Sequence, residues 1–146
     1  MAEQPVRTRN AGESPIMNEQ EKVDILLIDD DPAIRGVLVE ALQRRGYSLR
    51  WASEGRTALE LLSTIAFRLV VTDIFMPNID GLELIMKSAI NNPGTPVLAI
   101  SGGGMYLGPH DMLKSARYLG GCRTLAKPFD LSEFFETVVS MLGDES

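Results

Sequence analysis

The sequence predicts a doubly wound α/β fold, a five-stranded parallel sheet with helices on both faces, and three features carry that expectation. Short β-rich apolar runs alternate with longer segments whose apolar residues return at helical spacing. The clearest runs, Val23-Asp-Ile-Leu-Leu-Ile28, Arg68-Leu-Val-Val-Thr72 and Pro96-Val-Leu-Ala-Ile100, are apolar on successive positions. Both faces of such strands belong inside, which fits a parallel sheet with right-handed helical crossovers. At 146 residues and 45% apolar content, the chain holds material for one core.

Residues 1–22 are polar, with two prolines and little apolar periodicity, and read as a flexible tail ahead of one domain spanning 23–143. Strand one is Val23 to Ile28. Asp31-Pro32 then reads as an N-cap followed by proline in the first helical turn, and Ile34, Val37, Leu38, Ala41 and Leu42 share one helical face. A weaker strand follows from Ser48 to Ala52, and its Trp51 fits inside or outside equally well. Ala58, Leu61, Leu62 and Ile65 mark a second helix, before strand three at Arg68 to Thr72. Asp80 with Glu83 resembles a capping pair opening a third helix, which carries Leu82, Ile85, Met86, Ala89 and Ile90 on one face. Strand four is Pro96 to Ile100. A weak helix near Asp111 to Leu119 leads to strand five, Cys122 to Ala126, where Cys122 is expected in the core. Asp130 with Glu133 caps the last helix, whose face is Leu131, Phe134, Phe135 and Val138. The chain stops soon after Met141-Leu142, so no second domain is expected.

Composition removes several function classes. A net charge of −6 argues against direct nucleic-acid binding, which needs cations to displace phosphate counterions. A single cysteine excludes an intramolecular disulfide and a cysteine-cluster metal site, and fits a reducing, cytoplasmic setting. Met1 to Asn10 lack the apolar stretch of a secretory signal, and no apolar run approaches the ~20 residues of a membrane span.

In a doubly wound sheet the ligand site lies beyond the carboxyl ends of the strands, where the strand order reverses. Strand one ends in Asp29-Asp30, strand three in Asp73, strand four in Ser101 and strand five in Lys127. Two carboxylates ~4 Å apart repel by about 4 kcal/mol at an effective dielectric near 20, so three together call for a cation. Carboxylate oxygens supplemented by water and phosphate oxygens suit Mg²⁺. With that charge and Lys127 in place, a carboxylate is able to attack phosphorus and form an acyl phosphate, and Ser101 is placed to hydrogen-bond the product.

Three motifs in order, Ile25-Leu-Leu-Ile-Asp-Asp-Asp-Pro32, Val70-Val-Thr-Asp-Ile-Phe-Met-Pro-Asn-Ile-Asp-Gly81 and Leu125-Ala-Lys-Pro-Phe129, resemble those of response-regulator receiver domains of bacterial two-component signalling. The resemblance covers Val23 to Leu142 and implies the CheY-like, flavodoxin-like (βα)5 fold with strand order 2-1-3-4-5. It implies Asp73 as phosphoacceptor, Asp29 and Asp30 as the metal-holding pair, the backbone carbonyl of Phe75 as a further metal contact, Ser101 as the switch hydroxyl and Lys127 as the phosphate-binding lysine, joined to Pro128 by a cis bond. It also implies Mg²⁺ as cofactor and a phosphohistidine donor on a histidine kinase or histidine phosphotransfer protein. A downstream protein then reads a surface built by the fourth helix, fifth strand and fifth helix.

The sequence departs from the family pattern in three places. Thr124 stands three residues before Lys127, where an aromatic residue is usual, so output is expected to rely on backbone movement. The stretch from Gly102 to Pro109 is long and glycine-rich, and is expected to move on phosphorylation. Phe75 and Gly103 replace polar residues that position hydrolytic water, so slow self-dephosphorylation is expected. Asp31 reads as a helix cap, Asp80-Gly81 as a turn and helix start, and His110 as a solvated surface residue. An aspartate-nucleophile phosphatase lacks support, because Phe75 stands where that class needs a second acid. A flavin module is disfavoured because Asp29-Asp30-Asp31 repels phosphate, and a receiver without chemistry because the acids, Ser101 and Lys127 are all present. The expectation is a stand-alone receiver, with a fragment of a hybrid kinase or transcriptional regulator as the alternative.

Overall fold

The computed structural model describes residues 21–74, 83, 84, 86, 87, 92, 94–101 and 122–143, with Ser101 described by its backbone alone. In chain order these form β1 (Glu21–Ile28), α1 (Pro32–Arg44), β2 (Leu49–Ala52), α2 (Gly55–Thr64), β3 (Ile65–Asp73), β4 (Val97–Ser101), β5 (Cys122–Ala126) and α3 (Leu131–Leu142). Glu83, Leu84, Met86 and Lys87 are also helical. The strands make one parallel sheet in the order β2-β1-β3-β4-β5, the flavodoxin-like arrangement expected from the sequence. From β1 the chain steps outward to β2 and then returns past β1 to β3, so the order reverses between β1 and β3. In open sheets of this kind the ligand crevice lies at that reversal, beyond the carboxyl ends of the strands.

Apolar side chains alternate through the central strands and fill both faces. Ile25, Leu27, Leu69, Val71, Leu98 and Ile100 pack with Leu38 and Leu42 of α1 and Phe134 and Val138 of α3. On the opposite face Leu26, Ile28, Val70 and Ala99 meet Ala58 and Leu62 of α2, and Leu84. Full burial of one such Leu or Ile contributes about 1.5–3 kcal/mol relative to exposure, and this fixes the register of the strands that carry the site.

The helix ends follow the sequence signals. The Asp31 carboxylate accepts the amides of Ala33 at 2.9 Å and Ile34 at 3.4 Å, with Pro32 in the first turn. Asp130 accepts the amide of Glu133 at 2.8 Å, and Gly143 closes α3 at φ 77°, a left-handed conformation that glycine adopts without strain.

Four expectations need adjustment. β1 starts at Glu21 rather than Val23, because Glu21 and Lys22 pair with Ile65 and Ala66. Ile65 itself leaves the helical face assigned to it: α2 stops at Thr64, and Ile65 is extended at φ −121°, ψ 138°. Its β-branched side chain suits the strand, where it is buried. Val37 is 55% exposed, and Met86 and Leu131 are also exposed, despite apolar periodicity. In α1 the stripe that reaches the sheet is narrow, running through Leu38 and Leu42. Cys122 is half-buried, because β5 is an edge strand. Trp51 lies between the two readings, half-buried with the Arg35 guanidinium over its ring. The tail before residue 21, the helix at 111–119, Asp80, Gly81 and His110 lie outside the described residues.

Candidate functional site

Register alone brings the first acids together. Ile28 pairs with Thr72, so the next residue on each strand, Asp29 and Asp73, stands at neighbouring strand ends. The ladder continues past both. The Asp29 amide donates to the Ala52 carbonyl at 3.2 Å, and the Ile74 amide to the Ile100 carbonyl at 2.9 Å, so neither acid sits on a loose loop. Asp29 is 1% and Asp73 7% exposed, while Asp30 is open to solvent. Carboxylate oxygens of Asp29, Asp30 and Asp73 all lie within 4.8 Å of one another.

Lys127 enters from the end of β5. Its Nζ stands 3.3 Å from Asp73 Oδ2, with both side chains largely shielded, and the Lys127-Pro128 bond is cis. Asp29 is held twice more. Its Oδ1 accepts the Asp31 amide at 2.9 Å, and its main-chain carbonyl accepts Nη1 of Arg35 at 2.9 Å. Ser101 ends β4 opposite Ala126, its side chain outside the described residues, as is all of Phe75. The Gly102 to Pro109 stretch and Gly103 lie outside them too. Thr124 is half-buried on β5, in register with Ala99.

The electrostatics follow from this packing. Burial pushes the Asp29 carboxyl above the usual carboxylate range, and the charges of Asp73 and Asp30 push the same way. The Asp31 amide and Lys127 pull it down without offsetting the burial. Among the described residues, Lys127 at Asp73 and Arg35 on the Asp29 carbonyl are two positive charges against three acids, which leaves the cluster negative. Three hard oxygen donors converging with unbalanced negative charge form a donor set that fits a divalent cation, so the pocket passes that chemical test.

A doubly wound parallel sheet with clustered aspartates and a lysine at its switch point is the arrangement that the motifs' resemblance to a receiver domain implies. Compared with known families, residues 25–139 match the response regulator receiver domain, and the chain belongs to that family. It is 34% identical over 120 residues to the response regulator receiver protein CpdR of Brucella abortus, covering 81% of this chain and 95% of that one. It is 30% identical over 127 residues to sporulation initiation phosphotransferase F of Bacillus subtilis, covering 87% and 96%. Among solved structures, the receiver domain of NtrX from Brucella abortus superposes with a TM-score of 0.75 at 30% identity, covering 84% of this chain and all of that one. Among the described residues no helix is long and apolar enough to cross a membrane.

Of the residues singled out in the sequence, Asp29, Asp30, Asp73 and Lys127 come together in one crevice. Sequence reasoning missed Arg35. The available signal was a cation in the second turn of the helix that follows the acidic pair.

Proposed function

We propose that this receiver accepts a phosphoryl group on the Asp73 carboxylate in the presence of Mg²⁺. The observation that carries the reading is Lys127 Nζ at 3.3 Å from Asp73 Oδ2, inside a cluster of three carboxylates. Asp29, Asp30 and Asp73, with the Phe75 carbonyl that the family resemblance implies, would hold the metal, which would supply positive charge against the transferring phosphoryl oxygens. An Asp73 oxygen attacks phosphorus in line. The nitrogen–phosphorus bond of a phosphohistidine donor breaks as the oxygen–phosphorus bond forms, and the bonding pair stays on the imidazole. Lys127 then turns from the carboxylate to a phosphoryl oxygen, and the Ser101 hydroxyl donates to another.

The donor is a histidine kinase or a histidine phosphotransfer protein, and the product is read by a downstream protein through a changed surface. Similarity along nearly the whole length of two relatives, one of them a phosphotransferase, supports a cytoplasmic receiver that works as a relay or by binding its target. Its folded unit begins at Glu21, where β1 pairs with β3, and runs to residue 143, and the apolar Phe75 and side-chain-free Gly103 give it slow self-dephosphorylation.

The test is intact mass after incubation with acetyl phosphate and Mg²⁺. Wild type gains one phosphoryl group, and Asp73→Asn and metal-chelated wild type gain none. A gain that survives in Asp73→Asn overturns the assignment.

A further inference from the structure

Arg35 connects the acidic pair to the edge of the sheet. Its Nη1 donates to the Asp29 carbonyl at 2.9 Å, and its guanidinium carbon lies 4.4 Å from the centre of the Trp51 ring on β2. Both side chains are half-buried, which limits competition from water. The bonded oxygen belongs to the peptide that joins Asp29 to Asp30. That peptide is planar, so fixing its oxygen fixes the direction in which the chain leaves Asp29 and enters Asp30.

We propose that Arg35 is a positioning residue for the cation: seated on Trp51, it holds the Asp29–Asp30 peptide so that both carboxylates converge with that of Asp73. This rests on the Mg²⁺ reading above and extends it to a residue that contributes no ligand atom. Groups that orient metal ligands commonly matter as much as a tenfold or larger change in affinity.

The sign of the effect separates positioning from simple charge. Arg35 is a fixed positive charge near the cation, so by Coulomb's law alone its removal tightens Mg²⁺ binding. Loss of positioning weakens it. Arg45 at the other end of α1 offers a matched control, since its guanidinium lies 4.1 Å from the Phe135 ring centre and away from the crevice.

Isothermal titration of Mg²⁺ into wild type, Arg35→Met, Arg35→Lys and Arg45→Met, with a melting temperature for each protein free of metal, tests the proposal. Methionine keeps the apolar stem over Trp51 and removes donors and charge. Arg35→Met is expected to raise Kd about tenfold and Arg35→Lys by a smaller factor, both less than a lost direct ligand. Arg45→Met is expected to match wild type. If Arg35→Met fails to fold, Arg35→Lys and Trp51→Leu carry the test in the same direction. Wild-type or tighter affinity in the folded Arg35 variants overturns the proposal alone, as does an equal loss in Arg45→Met. Wild type that binds no Mg²⁺ overturns the cation reading and this proposal with it.

Discussion

Asp29 is a carboxylate whose surroundings, taken without a cation, oppose its charge. Burial and its acidic neighbours raise its pKa in the folded protein, so between its ordinary value and the raised one the folded state binds more protons than the unfolded. Stability from this group is therefore present at low pH and falls as pH rises through that window. At neutral pH the ionised side chain works against folding, and Asp29→Asn removes the charge while its amide oxygen still accepts from Asp31. Metal-free Asp29→Asn is expected to be about 1 kcal/mol more stable than wild type at pH 7, by urea denaturation, the scale of relieving one unfavourable buried charge. The gain should close as pH falls through the raised pKa, and saturating Mg²⁺ should reverse it by stabilising wild type alone. A variant no more stable than wild type at pH 7 would show that the crevice already balances its charge. At this scale the acids and Lys127 were legible because each ends a strand, and strand ends meet in this fold. Arg35 was not, because its bond to Asp29 depends on how α1 lies against β2.

Three aspartates in a row do different work according to the element each belongs to. Asp29 continues β1, whereas Asp31 caps α1 through two amide hydrogen bonds and stands outside the acidic cluster. Asp31→Ala is expected to cost about 1 kcal/mol of stability, the usual effect of losing an N-cap side chain, while Mg²⁺ affinity and phosphoryl uptake stay near wild type. Urea denaturation and intact mass measure the two together, and loss of uptake in a folded protein would move Asp31 into the site. Caps and strand cores were readable because short-range rules decide them. Ile65 was not, since it fits a helical period and a strand equally well; pairing with β1, a contact distant in sequence, decides for the strand. Val37 was misplaced for a related reason, because periodicity marks an apolar face without saying how much of it the sheet covers.

At the scale of the whole molecule, a parallel sheet puts all its chemistry at one end and leaves the other end to hold the layers together. Strand alternation and the crossover rule made that polarity legible in the sequence, including which end carries the site. The ties at the far end join residues distant in the chain and were not legible. Arg68, near the start of β3, bonds Asp24 Oδ1 of β1 at 3.2 Å and the Leu142 carbonyl at the end of α3 at 3.2 Å. Asp24 in turn accepts the Ser48 amide at 3.0 Å and donates its own amide to Ser48 Oγ at 2.9 Å. Two sheet strands, the entry to β2 and the last helix thus meet through one guanidinium and one carboxylate. The pair is partly exposed, so Arg68→Met is expected to cost about 1 kcal/mol, from a weak ion pair and one hydrogen bond to the helix end. Arg68 lies ~16 Å from Asp73 at the usual strand rise, about twice the screening length at physiological salt. Its charge therefore has little electrostatic reach to the crevice. Arg68→Met should lower the urea midpoint while leaving Mg²⁺ affinity and the rate of phosphoryl uptake at wild-type values. A clear change in either, in protein that remains folded at the assay temperature, would mean that the two ends of the sheet are mechanically coupled through α3.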